Sequence, residues 1–251
     1  MNIDLHGQRI LVTGASRGIG AAIARSIGSA GATVAVHYSG SHDAANRIVK
    51  EAGNGSAAFK ADLRDPASCQ RLFAEVLQAF GAIDAMVNNA GICPLVPLDT
   101  EGWIERWDEV MAVNLRAVGI LCREAVLYFR KRGAGGRIVN IASRAAYRGD
   151  TEEYLCYAAS KGGVVSLSKS IARDFGKDDI KCFVIAPGWV KTDMAKEALE
   201  QYGEAALLEG IALKRLTEPT DISPMVAFLL SGLADHATGT TIDINAASYV
   251  H

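Results

Sequence analysis

Arg9-Ile10-Leu11-Val12-Thr13-Gly14-Ala15-Ser16-Arg17-Gly18-Ile19-Gly20 is the stretch whose reading decides the fold. An apolar run over residues 9–13 stops at Gly14, and small residues of helical character follow over about 18–30. That order is strand, glycine turn, helix. A turn in this place sits at a helix N-terminus, where free backbone N–H groups and the helix dipole attract an anion, and glycines let the backbone approach a pyrophosphate. The pattern is Gly-x-x-x-Gly-x-Gly instead of the usual Gly-x-Gly-x-x-Gly, so a tight turn with purely structural glycines is the alternative.

Outward from this turn, strand-like and helix-like patterns alternate. Strands are expected at 34–38, 57–60, 83–88, 137–142, 180–186 and 240–244. Helices are expected at 43–52, at 66–80 where Pro66 opens the pattern, at 103–131 as one long amphipathic stretch closed by Gly133, and at 153–175. Strands separated by helices pair in parallel through right-handed crossovers. The expected architecture is therefore α/β: one domain over residues 1–251, with a doubly wound seven-stranded parallel sheet and helices on both faces.

Composition limits the function classes. The 251 residues are 49% hydrophobic and 22% charged with a formal net charge of -2, and no basic run exceeds Arg130-Lys131-Arg132. This argues against a nucleic-acid partner. The five cysteines are scattered without a Cys-x-x-Cys pair, which points away from a disulfide framework and from a structural metal site. No run of eighteen apolar residues occurs, so no membrane partner is expected. The expectation is a soluble, untargeted, cytoplasmic protein.

Chemistry-bearing residues fall at the carboxyl ends of the expected strands or on the helices after them. In Tyr157-Ala158-Ala159-Ser160-Lys161 a phenol and an ammonium stand four residues apart, on one face of a helix. A tyrosine titrates near ~10; a fixed cation lowering that by roughly three units, about 4 kcal/mol of differential stabilisation, would let Tyr157 exchange protons with an alcohol or carbonyl. A surface Tyr and Lys on an amphipathic helix share this spacing. Ser143 ends the fifth strand, where a hydroxyl can bond a substrate oxygen or simply cap a turn. Asn114 sits inside the long helix, an unfavourable place unless its side chain has a specific partner. Asn88-Asn89-Ala90-Gly91 ends the fourth strand, beside the crevice of an open sheet. Cys93 and Cys156 neighbour these motifs as pocket-lining or simply buried thiols.

Taken together these residues resemble the short-chain dehydrogenase/reductase family in its compact single-domain Rossmann form, and the likeness spans nearly the whole chain. The resemblance implies a catalytic tetrad of Asn114, Ser143, Tyr157 and Lys161, with Lys161 also bonding the nicotinamide ribose and Asn114 anchoring a water. It further implies that Gly14, Ser16, Arg17, Gly18, Ile19 and Gly20, with Asn89, Ala90 and Gly91, hold a nicotinamide dinucleotide. Asp62, with Leu63 beside it, would meet the adenine; Pro187, Gly188, Val190 and Thr192 would line the nicotinamide end, as would Tyr157 and Lys161. The glycine turn and His37-Tyr38-Ser39-Gly40 resemble 3-oxoacyl-thioester reductases. Sugar and polyol dehydrogenases share both features, and a non-enzymatic dinucleotide-sensing scaffold is the reading from another class. Such enzymes commonly form homotetramers, with a dimer as the fallback here, because the family's Thr-Gly-x-x-x-x-Val-Asp-Gly-Gly ending reads Thr238-Gly239-Thr240-Thr241-Ile242-Asp243-Ile244-Asn245-Ala246-Ala247.

Cofactor preference is read at the end of the second strand. A carboxylate there accepts bonds from the ribose hydroxyls and disfavours a 2′-phosphate. The sequence places Tyr38, Ser39 and Gly40 there instead, and Arg17 offers a charged fork to a phosphate. NADP(H) is therefore expected over NAD(H), with NAD(H) use still open. The residues from 192 to 218 are expected to form a lid over an unspecified small-molecule carbonyl or alcohol.

Overall fold

In the computed structural model, which describes residues 3–250 apart from the side chains of 197 and 201, seven strands pair in parallel in the order β3-β2-β1-β4-β5-β6-β7. The strands are β1 (Arg9–Val12), β2 (Thr33–Tyr38), β3 (Ala57–Lys60), β4 (Ala85–Asn88), β5 (Gly136–Ile141), β6 (Ile180–Pro187) and β7 (Thr241–Ile244). The helices are α1 (Gly18–Ser29), α2 (His42–Ala52), α3 (Pro66–Phe80), α4 (Trp103–Met111), α5 (Ala117–Arg132), the single turn α6 (Ala145–Arg148), α7 (Leu155–Phe175), α8 (Lys196–Glu209) and α9 (Pro219–Leu230). The doubly wound sheet is thus as expected; the terminal residues Met1, Asn2 and His251 of the expected domain lie outside the described residues.

Both faces of the sheet are apolar because successive side chains alternate between two cores. Ile10, Val12, Val87 and Ile185 face α1, α2 and α9, while Leu11, Met86, Ile138 and Val184 face α3, α5 and α7. Burial on both sides is what lets β1, β4 and β6 read as continuous apolar runs. Strand order reverses between β1 and β4. At such a reversal the connections leave toward opposite faces and open a crevice at the carboxyl ends of the strands.

Three departures from the sequence reading bear on that crevice. The expected long helix over 103–131 is divided by a π-helical turn, Ala112–Arg116, between α4 and α5. Periodicity counts apolar spacing and does not register one extra residue in a turn. The region from 192 to 218 holds α8, kinked at Gly203 (φ 76°). α9 begins at Pro219, held by a reciprocal capping pair of Glu218 and Asp221; Pro224 inside it and the apolar run that follows hid its period.

Candidate active site

A cleft of about 750 Å³ runs along the carboxyl edge of the sheet, lined by residues of the glycine turn, the ends of β2, β4, β5 and β6, and α7. Its first half is built by bonds between the glycine turn and β4. Asn89 N–H and Ala90 N–H both donate to Thr13 Oγ1 (2.9 and 3.1 Å), and Asn89 Nδ2 donates to the carbonyls of Thr13 and Gly14 (2.9 and 3.2 Å). A Cβ on Gly20 would stand 2.4 Å from Gly14 O and 2.5 Å from Asn89 Nδ2, so this glycine is required by the chain's own packing. α1 starts with no side-chain cap at Arg17, unlike α2 and α3, which Ser41 and Asp65 cap. Its first-turn N–H groups are left for an anion in the cleft, and a dinucleotide pyrophosphate suits them.

His37, which the sequence reading gave no role, supports this turn from below. Gly14 N–H donates to Nδ1 at 3.0 Å, so the ring proton lies on Nε2 and is directed to Ala61 O at 3.2 Å; His37 O accepts from Ala15 N–H at 2.8 Å. The ring is 2% exposed, and burial holds its pKa down to about 4. A histidine within an otherwise apolar strand was the signal for it.

At the outer end, two expected ligands are engaged within the chain. Arg17 pairs with Asp193 at 3.3 Å, and Asp62 takes a forked bond from Arg64 at 2.7 and 3.0 Å. Both pairs are exposed, so each is weakly held and free to exchange for a bound group. Arg64 itself lines the cleft beside Tyr38, Ser39 and Leu63, a cation that the motifs did not point to.

The second half gathers the four expected chemical residues. Asn114 lies in the π turn, fully buried; its Oδ1 accepts from Ile92 N–H and its Nδ2 donates to Ile92 O, each at 2.8 Å, with Ser160 Oγ at 3.2 Å. The turn rotates this side chain off the helix onto the chain beyond β4. A Cβ on Gly91 would lie 3.3 Å from Asn114 Oδ1 and 3.4 Å from Lys161 Nζ, so the three groups adjoin. Ser143 accepts from Ala145 N–H at 3.1 Å and lines the cleft with Tyr157, near enough to favour the ionised phenol. Pro187 ends β6, Gly188, Val190 and Thr192 follow it, and Thr192 packs 3.3 Å from the Cβ position of Gly18. Cys93 lines the cleft, whereas Cys156 is buried against Val96 and Val110.

One electrostatic expectation is corrected. Lys161 donates to Ile141 O at 2.9 Å and stands 5.7 Å from the Tyr157 ring centre, and burial lowers its own pKa to about 8. Burial likewise pushes the Tyr157 phenol up, with the Cys93 sulfur adding to it and Ser143 opposing it. Burial therefore favours neutral tyrosine, and the Lys161 ammonium is bonded to a carbonyl. The arrangement sets a neutral phenol in a cleft walled by polar backbone, beside the uncapped start of α1.

A family profile described as enoyl-(acyl carrier protein) reductase matches residues 14–246. The chain belongs to the short-chain dehydrogenase/reductase family. As members of that family are, it is an oxidoreductase acting between CH–OH and C=O with a nicotinamide dinucleotide. It is 38% identical over 245 residues to a 3-oxoacyl-[acyl-carrier-protein] reductase of Staphylococcus epidermidis, covering 96% of this chain and 98% of that one. Among solved structures, a short-chain type dehydrogenase/reductase from Mycobacterium marinum superposes with a TM-score of 0.92 at 27% identity, over 100% and 98% of the two chains. A structure described as a 2-deoxy-d-gluconate 3-dehydrogenase from Agrobacterium tumefaciens, with NADP bound, superposes with a TM-score of 0.89 at 31% identity over 98% of each. Among the described residues no cluster of metal-ligating side chains occurs and no helix is long and apolar enough to cross a membrane.

Proposed function

We propose that this single domain reduces a small carbonyl with NADPH, a 3-oxoacyl group being the best-supported substrate, as in the Staphylococcus relative. The observation that carries the reading is the gathering of Ser143, Tyr157 and Lys161 in the same cleft as the uncapped start of α1. A reduced nicotinamide held in the cleft would supply the hydride. Ser143 orients the carbonyl oxygen, which takes the C=O π pair as the hydride pair forms the new C–H bond, and the Tyr157 Oη proton passes to that oxygen. Burial keeps that proton on Tyr157 until it is needed, and the Lys161 charge stabilises the phenolate left behind. Asn114 fixes the Ile92 backbone and, through it, the wall against which Lys161 rests. NADP(H) preference is supported by the absence of a carboxylate at the end of β2 and by the exchangeable Arg17 and Arg64 guanidinium groups. The NADP bound in the Agrobacterium neighbour accords with it.

Tyr157→Phe removes the proton donor and keeps the ring. Turnover with NADPH should fall on the order of a hundredfold or more, with cofactor binding nearly unchanged. Near-normal turnover, or wild-type efficiency higher with NADH than NADPH, contradicts this reading. A homotetramer built through α5 and α7, where Leu127 and Leu155 are exposed, is the assembly we infer, in the cytoplasm; a monomer by light scattering at micromolar protein excludes it.

A further inference from the structure

Arg144 follows Ser143, and neither the fold nor the proton transfer calls for a cation there. The residue is 7% exposed and lines the cleft, and its backbone N–H is fixed to Pro187 O at 2.9 Å. It stands one turn before Arg148, at the opposite end of α6. Arg148 takes Asp150 as its partner at 3.0 Å, and the same Asp150 oxygen accepts from Thr151 N–H at 3.1 Å, so the neighbouring carboxylate is already engaged. Among the described residues the Arg144 guanidinium forms no hydrogen bond and no ion pair within contact distance, and the attraction of Asp150 is opposed by the repulsion of Arg148. None of its nitrogens is among the buried, partnerless atoms, so the group keeps some exposure, and the residue lines the cleft. Burial lowers its pKa to about 10, which leaves it charged at neutral pH. A nearly buried, unpaired guanidinium is costly to hold, and an anion arriving from outside removes that cost.

We propose that Arg144 anchors a carboxylate carried by the substrate a few bonds from the reacting carbonyl, making the substrate a short oxo acid or the corresponding hydroxy acid. This rests on the carbonyl-reductase reading above and puts a free acid in place of the carrier-bound thioester. Because Arg144 lines the same cleft as Ser143, a charged group placed near the reacting carbonyl is the closer match, whereas the phosphate of a pantetheine arm lies at the far end of a long chain. The planar fork of arginine matches a carboxylate through two parallel bonds.

The test is calorimetric titration of the protein–NADP⁺ complex with acetoacetate and with methyl acetoacetate, a pair that differs in the charge. The acid should bind about 10- to 100-fold more tightly than the ester, as expected for charge-assisted bonds. Arg144→Met should abolish the difference, and Arg144→Lys should keep part of it. The free Arg144→Met protein should melt at or above wild type, because an unpaired buried charge has been removed. Equal binding of acid and ester by wild type, no acid binding at all, or a variant that melts lower than wild type overturns the anchor. NADPH oxidation by wild type with uncharged ketones separates the two readings: reduction without acid preference leaves the reductase and removes the anchor. Acid binding through Arg144 with no carbonyl reduced does the opposite.

Discussion

The two halves of the cleft solve opposite problems. Around the glycine turn the inward polar groups are paired: Thr13, Asn89 and His37 each make more than one bond, and left-handed backbone falls on Gly14 (φ 63°) and Gly18 (φ 56°), which accept it freely. Around Ser143 and Tyr157 the cations and the phenol are buried with their pKa values displaced, and left-handed backbone falls on Ala246 and Ala247. The first half is stable before anything binds. The second holds charge and strain that a ligand can relieve, which is where reactivity and specificity are expected to sit.

Lys161 is the sharpest place to break that contrast, because it serves the chemical half and adjoins the cofactor half through Gly91. Lys161→Ala should lower turnover on the order of a hundredfold and weaken cofactor binding together; loss of only one would separate the halves. A pH profile reads the same group. Tyr157 stays protonated through the neutral range, so carbonyl reduction should be level below pH about 8 and decline above it, as Lys161 loses its charge. A profile unchanged from pH 6 to 10 would show that the ammonium charge is not used.

His37 tests the paired half. Its pKa is about 4 in the folded chain against the ordinary 6.5. Between those values the unfolded chain binds more protons, so stability falls as pH drops through that window, by about 3 kcal/mol once it is passed. His37→Phe should remove this share of the acid sensitivity. It should also leave Gly14 N–H without an acceptor, at about 1 to 3 kcal/mol of stability, and raise the cofactor KM while sparing kcat. An Asn at 37, which keeps an acceptor, should recover part of the KM. A fall in kcat with KM unmoved would show that the ring acts on chemistry and not on the turn.

The paired half was the more legible in sequence. Glycines, a strand end and Asn89 form a local pattern, and the order of β1, α1 and β2 follows from spacing alone. The tetrad was legible by resemblance, and its gathering at one edge follows from parallel topology. What the sequence concealed depends on contacts between distant segments: the π turn that aims Asn114 at Ile92, the His37 bond to Gly14, the pairing of Arg17 with Asp193, and the direction in which burial moves Tyr157. Arg144 passed unnoticed for the same reason, since a strand-end Ser-Arg carries no period and its meaning lies in the lack of a partner.

The mildest test concerns the strain. The family's paired glycines are replaced here by Ala246 and Ala247, yet the backbone keeps left-handed φ values of 53° and 54°. Neighbours hold it there: Ala246 O accepts from Ala212 N–H at 3.1 Å, Asn245 Nδ2 donates to Tyr249 O at 3.0 Å, and Asn245 packs against Gly188. An L-residue in this region loses about 1 kcal/mol relative to glycine, offset in part because glycine adds freedom to the unfolded chain. Ala246→Gly and Ala247→Gly should therefore each raise stability by up to ~1 kcal/mol in urea titration. Because the segment abuts Gly188 at the nicotinamide end, the same variants report whether the strain serves the chemistry. Higher stability with unchanged turnover makes it an incidental cost of sequence drift, whereas higher stability with slower turnover ties it to the reactive half. Destabilisation by both glycines would mean that the left-handed turn is not strained, and this part of the contrast between the halves would fall.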